Sequence, residues 1–196
     1  MKKYFLPIIL LLLLAGSASY AWMGAGQMAG SVPTAFCATQ SAYVTQSSNN
    51  AVFSVYDVQA VAQEFTTLGA GVSVYSIKVY INRIDLDSGE SGTLNLRIGT
   101  GADLSSSYLS ETSITISYGD ATGEKELVFA SPVALSASTK YYFGMSWEYI
   151  TDDKLLFDYQ NTDVYSGNAF RYDAGNWNFS NVDASRDLKF VVVTCD

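Results

Sequence analysis

Hydrophobic and polar positions alternate along most of this chain, and the alternation is plainest between Lys125 and Trp147, KELVFASPVALSASTKYYFGMSW. Leu127 and Phe129 alternate with charged or small neighbours, Ser131-Pro132 breaks the run, and Thr139 to Trp147 alternates again. In the second run Tyr141, Phe143, Met145 and Trp147 fall on one face, and Tyr142, Gly144, Ser146 and Glu148 on the other. A period of two places the four large apolar residues against a core, so the stretch predicts strand, turn, strand.

The same grammar runs through the rest of the chain. Thr34 to Gln46 holds a first strand, and Ala51 to Tyr56 and Ala60 to Thr67 follow. In Val72 to Ile84, Val72 and Val74 share one phase, and Tyr75, Ile77, Val79 and Ile81 share the other. The slip at Val74-Tyr75 predicts a β-bulge. Thr93 to Gly99, Thr112 to Tyr118 and Lys154 to Gln160 alternate cleanly. Ala169 to Tyr172 and Trp177 to Phe179 flank a predicted turn at Asp173-Ala174-Gly175-Asn176. Asp187 to Cys195 carries apolar residues on both faces and predicts a strand covered on both sides. About eleven short strands punctuated by turn signals, with no helical period, predict an all-β fold, a single antiparallel β-sandwich of jelly-roll-like type.

The start of the chain reads differently. Lys2 and Lys3 precede a twelve-residue apolar stretch, Tyr4 to Ala15, and Gly16 to Ala21 is rich in small residues. This is the pattern of a signal peptide over residues 1–21, with cleavage after Ala21 and Ala18 as the second choice. An uncleaved anchor is the other reading, although the apolar stretch is short of the roughly 20 residues a span needs. Ser17 stands where a lipidated Cys would have to be, so no lipid anchor is expected. Residues 22–33 read as a flexible leader and 34–196 as the sandwich domain. Localisation is therefore expected to be secreted, extracellular or at the cell surface, with the periplasm as a further compartment.

Charge narrows the partners. The chain has 11 basic and 19 acidic residues and a formal net charge of −8, which becomes −10 once Lys2 and Lys3 are removed. A phosphate backbone is repelled, so no nucleic acid is expected, and no membrane after signal cleavage. A glycan or a surface protein remains as partner. Cys37 and Cys195 are the two cysteines. Export makes a disulfide between them the default, and two buried free thiols the alternative. The bond would close a loop of about 160 residues, for which chain entropy gives an upper figure of about 5 kcal/mol.

Candidate chemistry is sparse. With His absent, Ser-His-Asp and Cys-His nucleophilic machinery and every His-containing metal site are excluded. Glycoside hydrolysis needs only two carboxylates, and Glu64 and Glu148 are the pair to check first. Calcium is the more plausible cofactor, because Asp85, Asp87 and Glu90 pack three carboxylates into six residues of loop, with Asp152-Asp153 and Asp173 next. The alternative is a solvated acidic loop. Tyr149, Tyr165, Tyr172 and Trp177 lie among Asp and Asn residues, a mixture suited to stacking on sugar rings. Core and turn packing is the competing explanation for these rings.

The order of motifs carries a resemblance. AQEFTT (Ala62 to Thr67), VYSIKVYINRI (Val74 to Ile84) and SGTLNLRIGT (Ser91 to Thr100) are followed by Phe129, Pro132, Val133, Leu135, Ala137, Thr139 and Tyr141. Gly167 to Phe170, Gly175 to Trp177 and Asp187 to Val191 close the series. This order resembles secreted bacterial jelly-roll β-sandwich modules similar to choice-of-anchor-type surface-protein domains and phage tail-fibre modules. The resemblance implies an extracellular module without enzymatic activity and with no defined ligand, and it implies a structural position for Trp177. Choice-of-anchor proteins end in a sorting tail and this chain ends at Asp196, which favours a freely secreted or partner-held protein. The expected function is thus a non-enzymatic secreted structural or adhesion module. A carbohydrate-binding module using calcium is the alternative, and a glycoside-active enzyme comes third.

Overall fold

A computed structural model of the chain describes residues 37, 39–47, 51–56, 60–148, 154–160, 170–173, 177–179, 181–183 and 186–195. The signal-like start and the leader, together with Tyr149, Asp152-Asp153, Tyr165 and residues 174–176 of the turn predicted at Asp173 to Asn176, lie outside the described residues. The strands are β1 (Gln40–Gln46), β2 (Ala51–Tyr56), β3 (Ala60–Thr66), β4 (Val72–Asp85), β5 (Ser91–Gly99), β6 (Tyr108–Ser117), β7 (Gly123–Leu135), β8 (Lys140–Glu148), β9 (Lys154–Gln160), β10 (Phe170–Asp173), β11 (Asn181–Asp183), β12 (Asp187–Leu188) and β13 (Phe190–Cys195). Among the described residues no helix is long and apolar enough to cross a membrane.

Every paired strand is antiparallel, and the strands form two sheets. The 14-residue β4 organises the first sheet. One of its edges carries β13 along Ser73–Val79 and then β9 along Ile81–Asp85, and its other edge carries β7. β1 lies outside β13, and β2 lies outside β9. The second sheet runs β11-β10-β3-β8-β5-β6. From β3 onward the chain keeps crossing between layers, β4, β7, β9 and β12–β13 in one and β3, β5–β6, β8 and β10–β11 in the other. This alternation makes the sandwich jelly-roll-like, as the spacing of short strands predicts.

Period two supplies the core. Tyr141, Phe143, Met145 and Trp147 of β8 are buried with Leu94, Leu96 and Ile98 of β5, against Ile77, Val79 and Ile81 of β4 and Phe190 and Val192 of β13. Phe143 and Phe190 meet across the layers with ring centroids 5.0 Å apart. Truncating one of these rings to Ala costs about 3–5 kcal/mol in a core of this kind. One polar thread crosses the core. Gln63 Nε2 donates to Asp187 Oδ1 at 3.0 Å, and the Leu188 N–H donates to Gln63 Oε1 at 2.9 Å. Gln63 and Asp187 are both fully buried, and pairing offsets the desolvation such groups suffer.

Four local expectations need correction. The bulge at Val74-Tyr75 is present, with register shifts against both β7 and β13. It turns Tyr75 away from Ile77 and onto the outer face, beside Cys37 and Val193. Ser131-Pro132 does not end a strand: β7 runs on to Leu135. Its ladder is nonetheless open there, because Val128 pairs with Ser76 and Val133 with Val74, leaving residues 129–132 opposite Tyr75 alone. Proline, which has no N–H to give a ladder, sits inside that gap. Trp177 to Phe179 is not a strand but an isolated bridge, Asn178 to Asp103, and β10 pairs with Asn181–Asp183 instead. The last predicted strand is interrupted at Lys189, whose N–H donates to the Asp158 carbonyl at 3.0 Å. It is covered on both faces as predicted, with Phe190 and Val192 in the main core and Val193 in the outer cluster.

Candidate functional site

The outer face of the second sheet gathers the chemistry of the described residues. Its middle is made of small residues: Ala60 and Ala62 on β3, Gly144 on β8 and Gly99 at the end of β5. Two loops pack into this saddle. Leu104, from the β5–β6 connection, and Phe179 are both fully buried over it. A Cβ on Gly144 would lie 2.7 Å from the Phe179 ring, and one on Gly99 would lie 2.7 Å from Leu104. Both glycines are therefore places of close approach. The loops are stitched to each other by Leu104 N–H to Trp177 O at 2.8 Å and Phe179 N–H to Ala102 O at 2.9 Å. Asp103 braces the turn, and hydrogen bonds from the Ser105 hydroxyl and N–H hold its carboxyl below its ordinary value.

Arg97 fastens this cover to the sheet. Alternation along β5 sends Leu96 and Ile98 inward and Arg97 outward. Its guanidinium carbon stands 4.2 Å from the Trp177 ring centroid and 4.5 Å from that of Tyr108. It donates to the Leu104 carbonyl at 3.0 Å and, through Nε, to Glu111 at 3.2 Å. A guanidinium over aromatic faces is electrostatically attractive, so Arg97 draws both rings to itself. Trp177 is partly exposed and Tyr108 is 39% exposed. Trp177 has a positive φ of 56°, an unusual backbone state for a bulky residue.

Beyond the cover lies a polar strip. Asn95 pairs with Ser146 and Thr93 with Glu148 across β5 and β8, one and two outward positions along from Arg97. Asn95 is 8% exposed and Ser146 7%. Among the described residues, neither Asn95 Nδ2 nor Ser146 Oγ has a hydrogen-bond partner. Glu148 is exposed at the rim.

Trp177 thus lies in this site, whereas Tyr149 and Tyr165 fall outside the described residues. Tyr172 is on β10 with its backbone opposite Val61. Asn95, Ser146, Arg97 and Tyr108 carry no motif that marks them in the sequence. The signal that could have found them is the outward phase of β5 and β8 read together.

In the acidic loop the carboxylates meet partners within the chain. Asp85 faces two cations, Arg83 at 2.9 Å and Lys154 at 3.4 Å. Glu90 closes its own turn, its Oε2 accepting from the Asp87 N–H at 2.8 Å and its N–H donating to Asp87 O at 3.1 Å. Among the described residues no three His, Cys, Asp or Glu side chains converge to hold a metal. Asp87 and Glu90 are brought together through the main chain, and Asp85 is drawn to the cations. Glu64 and Glu148 do not make a hydrolytic pair. Glu64 is opposite Tyr142, and Glu148 lies six residues further along β8, about 20 Å away at the strand rise. Glu64 is buried and salt-bridged to Lys140 at 3.0 Å.

At the far side of the molecule Cys37 and Cys195 come to disulfide distance, with Cα atoms 5.1 Å apart and 158 residues of sequence between them. Gln40 is paired with Cys195 in the β1–β13 ladder, so the two cysteines sit at one end of already neighbouring strands. A polar groove of about 500 Å³ opens beside them, lined by Ser41, Tyr43, Val72, Ser73, Leu135 and Thr194 among others. In comparisons with protein-family models and with curated proteins the chain matches none.

Proposed function

We propose that the chain is a non-enzymatic module of the extracellular space or cell surface, with a structural or adhesive role. The observation that carries this reading is the approach of Cys37 to Cys195. A cross-link of that kind persists in oxidising compartments, and a signal-like start over residues 1–21 would deliver the chain to one. The motif order from Ala62 to Val191, which resembles choice-of-anchor-type surface domains, supports the same placement.

The carboxylates support the non-enzymatic part. Glu64 is engaged by Lys140, Glu111 by Arg97, Glu124 by Lys78 and Asp85 by Arg83 and Lys154. Each side chain faces a cation in these pairs rather than a second carboxyl across a cleft, the arrangement hydrolysis of a glycosidic bond requires. The expected partner is a glycan or a surface protein. The carbohydrate reading is favoured by the Trp177 and Tyr108 rings that Arg97 draws to itself on the outer face of the second sheet.

Cell fractionation with thiol alkylation tests the placement. The protein should be recovered outside the cytoplasm, shortened by its signal, and should take up no alkylating reagent until it is reduced. Recovery from the cytoplasm with both thiols alkylated would overturn it.

A further inference from the structure

We infer that β6 is the surface through which two copies of this chain associate, the free edge of each adding to that of the other as an antiparallel pair. The inference goes beyond the module reading and does not depend on where the protein resides. It starts from a sheet edge. β6 ends the second sheet. Among the described residues it pairs with β5 alone, and from Tyr108 to Ile116 no backbone hydrogen bond reaches its other side. β7 does not fill that place. It belongs to the other sheet, where its Val128 carbonyl accepts from the Thr112 hydroxyl at 2.7 Å. A row of free N–H and C=O groups is a template for another strand, and folded proteins ordinarily guard it with lysine, proline or a very short strand. β6 has ten residues, YLSETSITIS, with no Lys, Arg, Pro or Gly among them. Its one charge, Glu111, is already paired with Arg97 at 3.2 Å.

The side chains indicate what covers this edge. Of the four large apolar side chains exposed among the described residues, Tyr108, Leu109 and Tyr118 lie at the two ends of β6. Ile114 packs on the margin of the core and is only half-buried, with no strand beyond β6 to cover it. In an antiparallel pair, opposite residues share a face, and only alternate residues turn their N–H and C=O to the partner. A two-fold pairing of β6 with itself must therefore be centred on a residue, not between two. Ser113 is the midpoint of Tyr108 and Tyr118. Centred there, Ser113 faces its own equivalent, Thr112 faces Ile114 and Glu111 faces Thr115, so no like charges meet. The Tyr108-Leu109 end of each copy comes beside the Ser117-Tyr118 end of the other. The register shift at Leu109 leaves Ser110 to Ile116 as the regular paired stretch. Such a pairing is isologous, so it closes at two copies and does not grow into a fibre. The opposing effect is the net charge of −8 on each chain, a repulsion that salt screens. A basic segment of a different polypeptide would suit that charge, but it gives no reason for apolar residues at both ends of the strand.

The test is sedimentation equilibrium of the oxidised full-length protein over a range of concentrations, with thermal melting of each variant alongside. The native protein should show a monomer–dimer equilibrium that tightens as sodium chloride is added. Ser113 is exposed, so Ser113→Lys and Ser113→Glu should melt close to the native protein. Each sets two like charges directly opposite one another and should weaken the dimer about tenfold or more. An equimolar mixture of the two variants should dimerise again, because Lys then faces Glu. That rescue separates an effect on pairing from an effect on folding. A native protein that stays monomeric at every concentration would overturn the inference and leave the edge to a different polypeptide. Dimers of undiminished strength in both variants, a mixture that stays monomeric, or assembly beyond two copies would overturn it as well.

Discussion

Gly144 shows how a single atom sets the architecture around the site. It lies on the outward phase of β8 between Tyr142 and Ser146, and Phe179 and Leu104 occupy the space where its Cβ would be. Gly144→Val would force the Phe179 ring off the sheet and is expected to destabilise the domain by about 1–3 kcal/mol, the usual cost of overpacking. Urea unfolding measures the loss. The Trp177 fluorescence should shift at the same time, because the 177–179 segment is bonded to the 102–104 loop as one unit. A stability equal to the native value would mean that the two loops do not rest on the glycine. Such a residue is half legible from sequence. A Gly inside an alternating strand signals close approach of something, but the sequence does not say what approaches. Asn95 is less legible still: a polar residue between two leucines reads only as outward, and its lack of a partner depends on what β8 sets beside it.

At the scale of elements, the strands were legible because a half-buried strand must alternate, and the chain obeys that rule nearly everywhere. The errors arose where a long-range contact overrides the local pattern. Tyr75 keeps the phase of Ile77 in the sequence, yet the bulge sends it outward to Cys37. Trp177 to Phe179 has strand composition, yet its backbone partner is Asp103, some seventy residues upstream, and no local signal announces it. Two further predictions belong here. Arg97→Ala removes the cation from between Tyr108 and Trp177 and the donor to Leu104 O. It should cost about 1–2 kcal/mol, and hydrogen exchange at the Leu104 amide, bonded to Trp177 O, should accelerate more than at core amides of β8. Uniform acceleration across the domain would contradict a local fastening role.

The β4–β7 pairing gives the pH prediction. Hydrogen bonds from Lys78, chiefly, and from Tyr80 hold the Glu124 carboxyl below its ordinary value of 4.5. The stabilisation it gives is therefore present above that value and is lost as pH falls through the lower, folded value. The hydrogen bond to Glu124 raises Lys78 above 10.5, so its share is present below 10.5 and is lost as pH rises through the higher folded value. All three side chains are substantially solvated, which limits the pair to about 1 kcal/mol or less. Glu124→Gln should lower the unfolding midpoint slightly at pH 7 and leave it unchanged at pH 2. Equal losses at both pH values would assign the effect to packing rather than charge.

For the whole molecule the decisive contact is the one between the two ends of the described domain. β1 and β13 are already hydrogen-bonded neighbours, with Gln40 opposite Cys195, so the Cys37–Cys195 link adds little new geometry to the folded state. Its effect falls instead on the unfolded chain, which it forbids from separating two points 158 residues apart. The chain-entropy argument then gives an upper figure of about 5 kcal/mol, and a realised loss of about 2–5 kcal/mol on removing the link. Because most contacts in a sandwich join residues distant in sequence, closing that loop in advance should also shorten the search for them. The double variant Cys37→Ser, Cys195→Ser should therefore unfold at lower denaturant with a larger slope, since its unfolded state is more expanded, and it should refold more slowly. The reduced native protein should behave alike. If the oxidised and reduced forms unfolded at the same urea concentration with the same slope, β1 would be free of the sandwich in solution, and the Cys37–Cys195 link would have no mechanical role in the fold.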